Sequence, residues 1–279
     1  MTNTQSSPPG QGRRFDYGQD TAAVGANGEA LPARNSIFDD RPQIPYVIPI
    51  MVFVLCMAPR AFGHFLGIHW ARLWFNYTPL VYTVQTLAAT LTLVLLWRFY
   101  TPIKWSHLWL GAAVGLFGLL QWVGMEYAVQ YFWHFVLHGQ TLHYPRIFGG
   151  QNAKNYDPIK EIPNLWARIS FYIVRIGGPT LMVPVMEELF WRDFIWRALI
   201  RGARFQEVPV GQASVVALVG SSLLFATGHF QWPSAIVYGL MIGWLLIRTK
   251  SLGSCIVAHA VTNFSLGIYV LMTHQWQFW

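Results

Sequence analysis

The sequence predicts an all-α, polytopic integral membrane protein, a bundle of about seven to eight transmembrane helices, and three observations predict it. Hydrophobic residues make up 54% of the 279 and charged residues only 11%, with 14 tryptophans and 19 phenylalanines; a soluble domain of this size is not so apolar. Apolar windows close to the roughly 20 residues of a bilayer-spanning helix recur at 44–59, 78–97, 107–125, 166–186, 211–228, 233–247 and 252–272. The basic residues flank these windows instead of gathering in a patch with interleaved aromatics. The formal charge of +7 therefore reads as a topology signal and not as a nucleic-acid surface.

Residues 1–43 stand apart from the transmembrane region at 44–279. They are rich in Gly, Ser, Pro and Asn, have no apolar run, and carry four Arg against five acids, the composition of a disordered tail. No charged stretch followed by an apolar one opens the chain, so no cleaved signal peptide is expected and insertion falls to the first span. The fourth window contains Pro179 and Pro184, which allow it to break into two helical pieces and would raise the count to eight. The segment from His138 to Trp166 has no assignment. The two cysteines, Cys56 and Cys255, fall in predicted spans, which argues against a disulfide framework or a cysteine zinc cluster. With the tail in the cytoplasm, 12 of the 19 Lys and Arg lie on that side. The expected topology is thus N-terminus cytoplasmic, in the plasma (inner) membrane, with seven spans putting the C-terminus outside and eight putting it inside.

One stretch does not fit a plain lipid-facing helix. VMEELFWRDFIWR, residues 185–197, sets Glu187, Glu188, Arg192, Asp193 and Arg197 among large apolar side chains. A charge at a helix centre costs about 2.5–3.5 kcal/mol on insertion scales, so the cluster requires partners, water or a function. Arg192, Asp193 and Arg197 can be read as marking the point where the helix leaves the bilayer. The two glutamates cannot, because they follow an apolar run directly. Glu188 and Arg192 are four apart and share a face, which predicts an ion pair, while Glu187 is turned about 100° away and lacks that partner. One carboxylate is thereby held beside a cation and the other left to general-base work.

Two further pairs have helical spacing. Phe225 and His229 in LLFATGHFQW are four apart at the end of a small-residue helix, and His259 and Asn263 in IVAHAVTNF are four apart inside the last window. Taken singly, each is most simply an interfacial residue or a hydrogen-bonded helix contact. Glu-Glu-x-x-x-Arg, Phe-x-x-x-His and His-x-x-x-Asn, in this order on three hydrophobic helices, resemble the CPBP family of intramembrane proteases, the group of the CAAX prenyl endopeptidases. The resemblance covers about residues 185–267, and GWLLIRTKSLGSCIVAHAVTNF looks like the family's final hairpin. It implies an intramembrane endopeptidase in which Glu187 activates a water with help from His229. Glu188, Arg192 and Phe225 support the site, and His259 with Asn263 polarises the scissile carbonyl and stabilises the oxyanion. The substrate would be a membrane protein or a lipidated protein or peptide met in the bilayer. Two ways of activating the water stay open: a zinc ion (Zn2+) held by Glu187, His229 and His259, or the glutamate alone. If the site lies at one depth, the 225–235 region must dip into the bilayer or its helix must be displaced, and GHFQWP supplies the Gly and Pro for such a break.

Two other classes compete. A membrane haem or metal-binding protein would use His134, His138, His229 and His259, the first two in HFVLH, where Phe135 takes the place a zinc-protease glutamate would need. A non-catalytic membrane scaffold or immunity factor is the other, because resemblance to a family does not ensure its chemistry. The sequence has no His-Glu-x-x-His, Gly-x-Ser-Gly or Gly-x-Gly-Asp motif.

Overall fold

The computed structural model describes residues 38, 40–56, 78–136 and 157–278. The chain divides into two units, Met1–Asp40 and Arg41–Trp279. The first lies almost wholly outside the described residues, and with it the tail expected at 1–43. His138 and most of the unassigned segment after it lie outside them too.

Helices fall on all seven apolar windows, and no strand occurs among the described residues. They are α1 (Ile44–Leu55), α2 (Thr78–Leu95) and α3 (Leu108–Val136), then a short turn α4 (Pro158–Glu161) and a long run opened by α5 (Leu165–Gly177). That run continues through a π turn at Gly178–Met182, α6 (Val183–Glu188), a second π turn at Leu189–Ile195 and α7 (Trp196–Arg201). The remaining helices are α8 (Val215–Thr227), α9 (Trp232–Thr249) and α10 (Leu252–Thr273). By length and composition, three elements among the described residues can each cross a membrane: α3, the run from Leu165 to Glu207, and α10. Side chains such as Leu87, Leu120, Val215 and Met272 are exposed, so the bundle turns apolar faces outward, as lipid requires.

The fourth window does not break. Pro179 and Pro184 sit at the starts of the first π turn and of α6, where the wider turn accommodates the missing N–H groups without ending the helix. The window thus forms part of one continuous helical run, Leu165–Glu207.

Arg192, Asp193 and Arg197 are all buried within the protein. Arg197 pairs with Asp193 and donates to the carbonyls of Phe205, Gln206 and Val208 and to Thr101. It closes the turn after α7 from within, and full hydrogen bonding makes its burial tolerable.

Close approach of α3 to α10 sets the register of the site. A Cβ on Gly111 or Gly115 would lie 2.5 Å from the Ser254 carbonyl oxygen or 2.4 Å from that of Ala258. Only glycine lets these backbones touch. Thr262 donates to the Gly115 carbonyl at 2.8 Å and accepts from the Tyr238 hydroxyl at 3.1 Å, tying α3, α9 and α10 together beside His259.

Candidate active site

Glu187 and Glu188 end α6, and Arg192 follows in the second π turn. The predicted ion pair is present: Arg192 Nε lies 3.3 Å from Glu188 Oε2, with both side chains buried. The guanidinium also sits 4.7 Å over the Phe225 ring, a cation–π contact strengthened by the absence of water. None of its three nitrogens has a well-directed hydrogen bond.

Glu188 has a second partner. His259, in the middle of α10 and 3% exposed, donates from Nδ1 to Glu188 Oε1 at 2.8 Å. Its other nitrogen, Nε2, lies 4.0 Å from Glu187 Oε2. That oxygen is buried and makes no hydrogen bond, whereas the Glu187 side chain as a whole is 15% exposed. The two adjacent glutamates thus take different positions: Glu188 is enclosed between a guanidinium and an imidazole, and Glu187 keeps an oxygen available.

His229 follows the C-terminus of α8. Its Nδ1 donates to the Phe225 carbonyl at 2.9 Å, and its ring packs on Phe225 at 4.3 Å and on Trp122 at 5.5 Å between centroids. It lies within electrostatic reach of Glu187, His259 and Arg192. The Phe225 ring is 6.3 Å from that of His259, so Phe225 stands between the two histidines. The depth problem is met by helix length. The 13 residues of α8 extend about 20 Å, short of a hydrocarbon core of roughly 30 Å. The break before α9 comes at His229, where the chain leaves α8 and turns back into α9.

Asn263 is one turn beyond His259 and half-buried. Its Nδ2 donates to the Pro179 carbonyl at 2.9 Å. The local backbone explains why: the Val183 N–H reaches back five residues to Gly178, and in that register the Pro179 carbonyl would accept from residue 184, a proline without an N–H. Asn263 supplies the missing donor and retains a second amide hydrogen. The Pro179 contact, and the packing of Trp122 and Tyr238 on the two histidines, went unforeseen in the sequence. Two prolines five residues apart were the available signal for the first.

The possible zinc set of Glu187, His229 and His259 does not close around a point. Among the described residues, no group of three His, Cys, Asp or Glu side chains is placed to hold a metal ion. Of the haem candidates, His134 is exposed near the end of α3 while His229 and His259 lie inside the bundle.

Comparison with known proteins gives two matches. Residues 169–265 match the model of the Rce1-like family, type II CAAX prenyl endopeptidase Rce1-like, about a third of the chain. A Synechocystis protein named "Putative transport protein sll0060" is 33% identical over 88 residues, 29% of this chain and 26% of that protein. The chain thus spans about a quarter of the length of that relative. No solved structure matches the chain.

Proposed function

We propose that the protein is an intramembrane endopeptidase that hydrolyses a peptide bond with a water activated by Glu187, a reading supported by the match of residues 169–265 to the Rce1-like family model. The observation carrying this reading is the buried, unpartnered Glu187 Oε2 facing His259 Nε2 across 4.0 Å. A structural carboxylate at this depth would be paired, as Glu188 is.

The chemistry follows from the residue types. Water oxygen bonds to the carbonyl carbon as one of its O–H bonds breaks, the proton passing to Glu187 Oε2 and the carbonyl electron pair moving onto oxygen. The second amide hydrogen of Asn263 supports that oxyanion. As the C–N bond breaks, the amine nitrogen takes the proton from Glu187. His229 lines the same pocket across Phe225, and Glu188 with Arg192 keeps the geometry.

The substrate in this reading is a membrane-embedded or lipidated protein or peptide. An apolar groove of about 430 Å³, lined by Ile173, Gly177, Leu181 and by Thr180 and Phe264, the sequence neighbours of Pro179 and Asn263, offers such a substrate a surface. The basic-residue bias supports a cytoplasmic N-terminus and a place in the plasma (inner) membrane. Comparative proteomics of membrane fractions from cells with wild-type and Glu187→Ala protein tests the function. New protein termini that require Glu187 are expected. Identical termini in both would count against proteolysis, and a Soret band on the purified protein would favour the haem reading.

A further inference from the structure

His259 is expected from its family resemblance to donate to the oxyanion, but its hydrogen bonds point to a different role. A carboxylate oxygen only accepts, so the 2.8 Å contact from Nδ1 to Glu188 Oε1 places the ring hydrogen on Nδ1. In the neutral imidazole Nε2 then carries a lone pair, and this nitrogen faces Glu187 Oε2 at 4.0 Å. An ionised Glu187 and a bare Nε2 cannot bond each other, since both are acceptors. A water can serve both. Set at a usual hydrogen-bond length of about 2.8 Å from each atom, it subtends roughly 90° between them, close to the spread of its own two O–H bonds.

On the basis of the protease reading above, we infer that Glu188 is a positioning residue that fixes the tautomer of His259, and that His259 Nε2 is the second acceptor of the attacking water. With both hydrogens engaged, by Glu187 Oε2 and His259 Nε2, the water has its remaining lone pairs turned away from the carboxylate and the ring, towards the scissile carbonyl. The water is thereby oriented as well as activated. The proton that leaves during attack goes to Glu187 and then to the leaving amine. The hydroxyl proton left on the new carboxylic acid passes to His259 Nε2, giving a carboxylate, an amine and an imidazolium that loses this proton once product release opens the site to water. Glu188 touches neither water nor substrate and acts through the imidazole, while Arg192 at 3.3 Å holds its other oxygen.

Nitrogen-15 NMR of protein labelled at histidine, in detergent micelles, reads the tautomer directly, with His259→Gln assigning the signal. Wild-type protein is expected to show His259 protonated at Nδ1 and bare at Nε2. In Glu188→Gln the side-chain amide can donate to Nδ1, so the ring proton is expected to move to Nε2 and kcat to fall by about 10³- to 10⁴-fold, the scale of a wrong tautomer, with KM little changed. If Glu188 acts through His259, Glu188→Gln combined with His259→Ala is no slower than His259→Ala alone. A wild-type His259 carrying its proton on Nε2 overturns the inference without any variant needing to fold, and so does a double variant slower by the product of the single losses. The expected tautomer in a protein that cleaves nothing would sink the protease reading and leave the Glu188–His259 assignment standing.

Discussion

Asn263 donates its side-chain amide to the Pro179 carbonyl at 2.9 Å, a bond made necessary by Pro184, which has no N–H to offer in the π register of that turn. One side chain therefore joins α10 to the long helical run one turn from the candidate catalytic groups. Asn263→Ala is expected to lower turnover by about 10²- to 10³-fold, as for loss of one oxyanion donor, and also to lower Tm, because a buried carbonyl without a partner costs about 1–3 kcal/mol. Turnover at matched folded fraction separates the two effects. Normal turnover with reduced Tm would leave Asn263 as a structural strut only.

Pro184→Ala restores an N–H that can reach the Pro179 carbonyl. The stability loss from Asn263→Ala is then expected to shrink in the Pro184→Ala background, with a coupling of about 0.5–3 kcal/mol. Tm or denaturant midpoints of the four proteins of this cycle measure it. Additive losses would show that the two residues do not share that carbonyl.

Arg192→Ala leaves Glu188 buried without its cation, and Glu188→Ala leaves the guanidinium without its anion. Each is expected to cost about 3–5 kcal/mol and to reduce activity with stability, in contrast to changes at Glu187. Thermal unfolding in detergent beside a cleavage assay checks this. A variant with the Tm of wild type would show the pair to be energetically idle.

Gly115→Ala would place a Cβ 2.4 Å from the Ala258 carbonyl oxygen, a backbone atom that cannot swing aside. Forced separation of α3 and α10 is expected to cost about 1–3 kcal/mol and to reduce turnover by displacing the neighbouring His259. Gly124→Ala, where nothing lies within 4 Å, is the control and should be silent in both measurements.

Much of this architecture is legible in the sequence, because burial in lipid demands long apolar helices and fixed spacing puts residues four apart on one face. The helices lie on the predicted windows, and Glu188 meets Arg192 as their spacing requires. The break in GHFQWP was legible as well, since α8 ends at Thr227 and α9 begins at Trp232. What was not legible depends on contacts between helices distant in sequence. Nothing in the spacing of Glu188 and His259, 71 residues apart, says that they bond. The π turns that carry Pro179 and Pro184 without a break are likewise a compromise between local chemistry and packing. The partners of Arg197 were not legible either, because its acceptors are backbone carbonyls of the following turn, which no residue pattern announces.

The donors that could hold zinc do not converge among the described residues, and the proposed water activation by Glu187 needs no metal. Purified protein is expected to contain well under one zinc per chain and to keep its turnover after dialysis against a chelator. Loss of activity on chelation, restored by zinc and absent in His259→Ala, would move the chemistry onto a metal ion.

Glu187 as the general base is tested by Glu187→Gln. This change keeps size and polarity while removing the carboxylate, and Glu187 Oε2 has no hydrogen bond in the fold to lose. The measurement is the cleavage rate of a membrane substrate by wild-type and Glu187→Gln protein, purified alike and matched in Tm. No cleavage above background is expected in the variant, with Tm unchanged; cleavage at the wild-type rate would show that Glu187 is not the base.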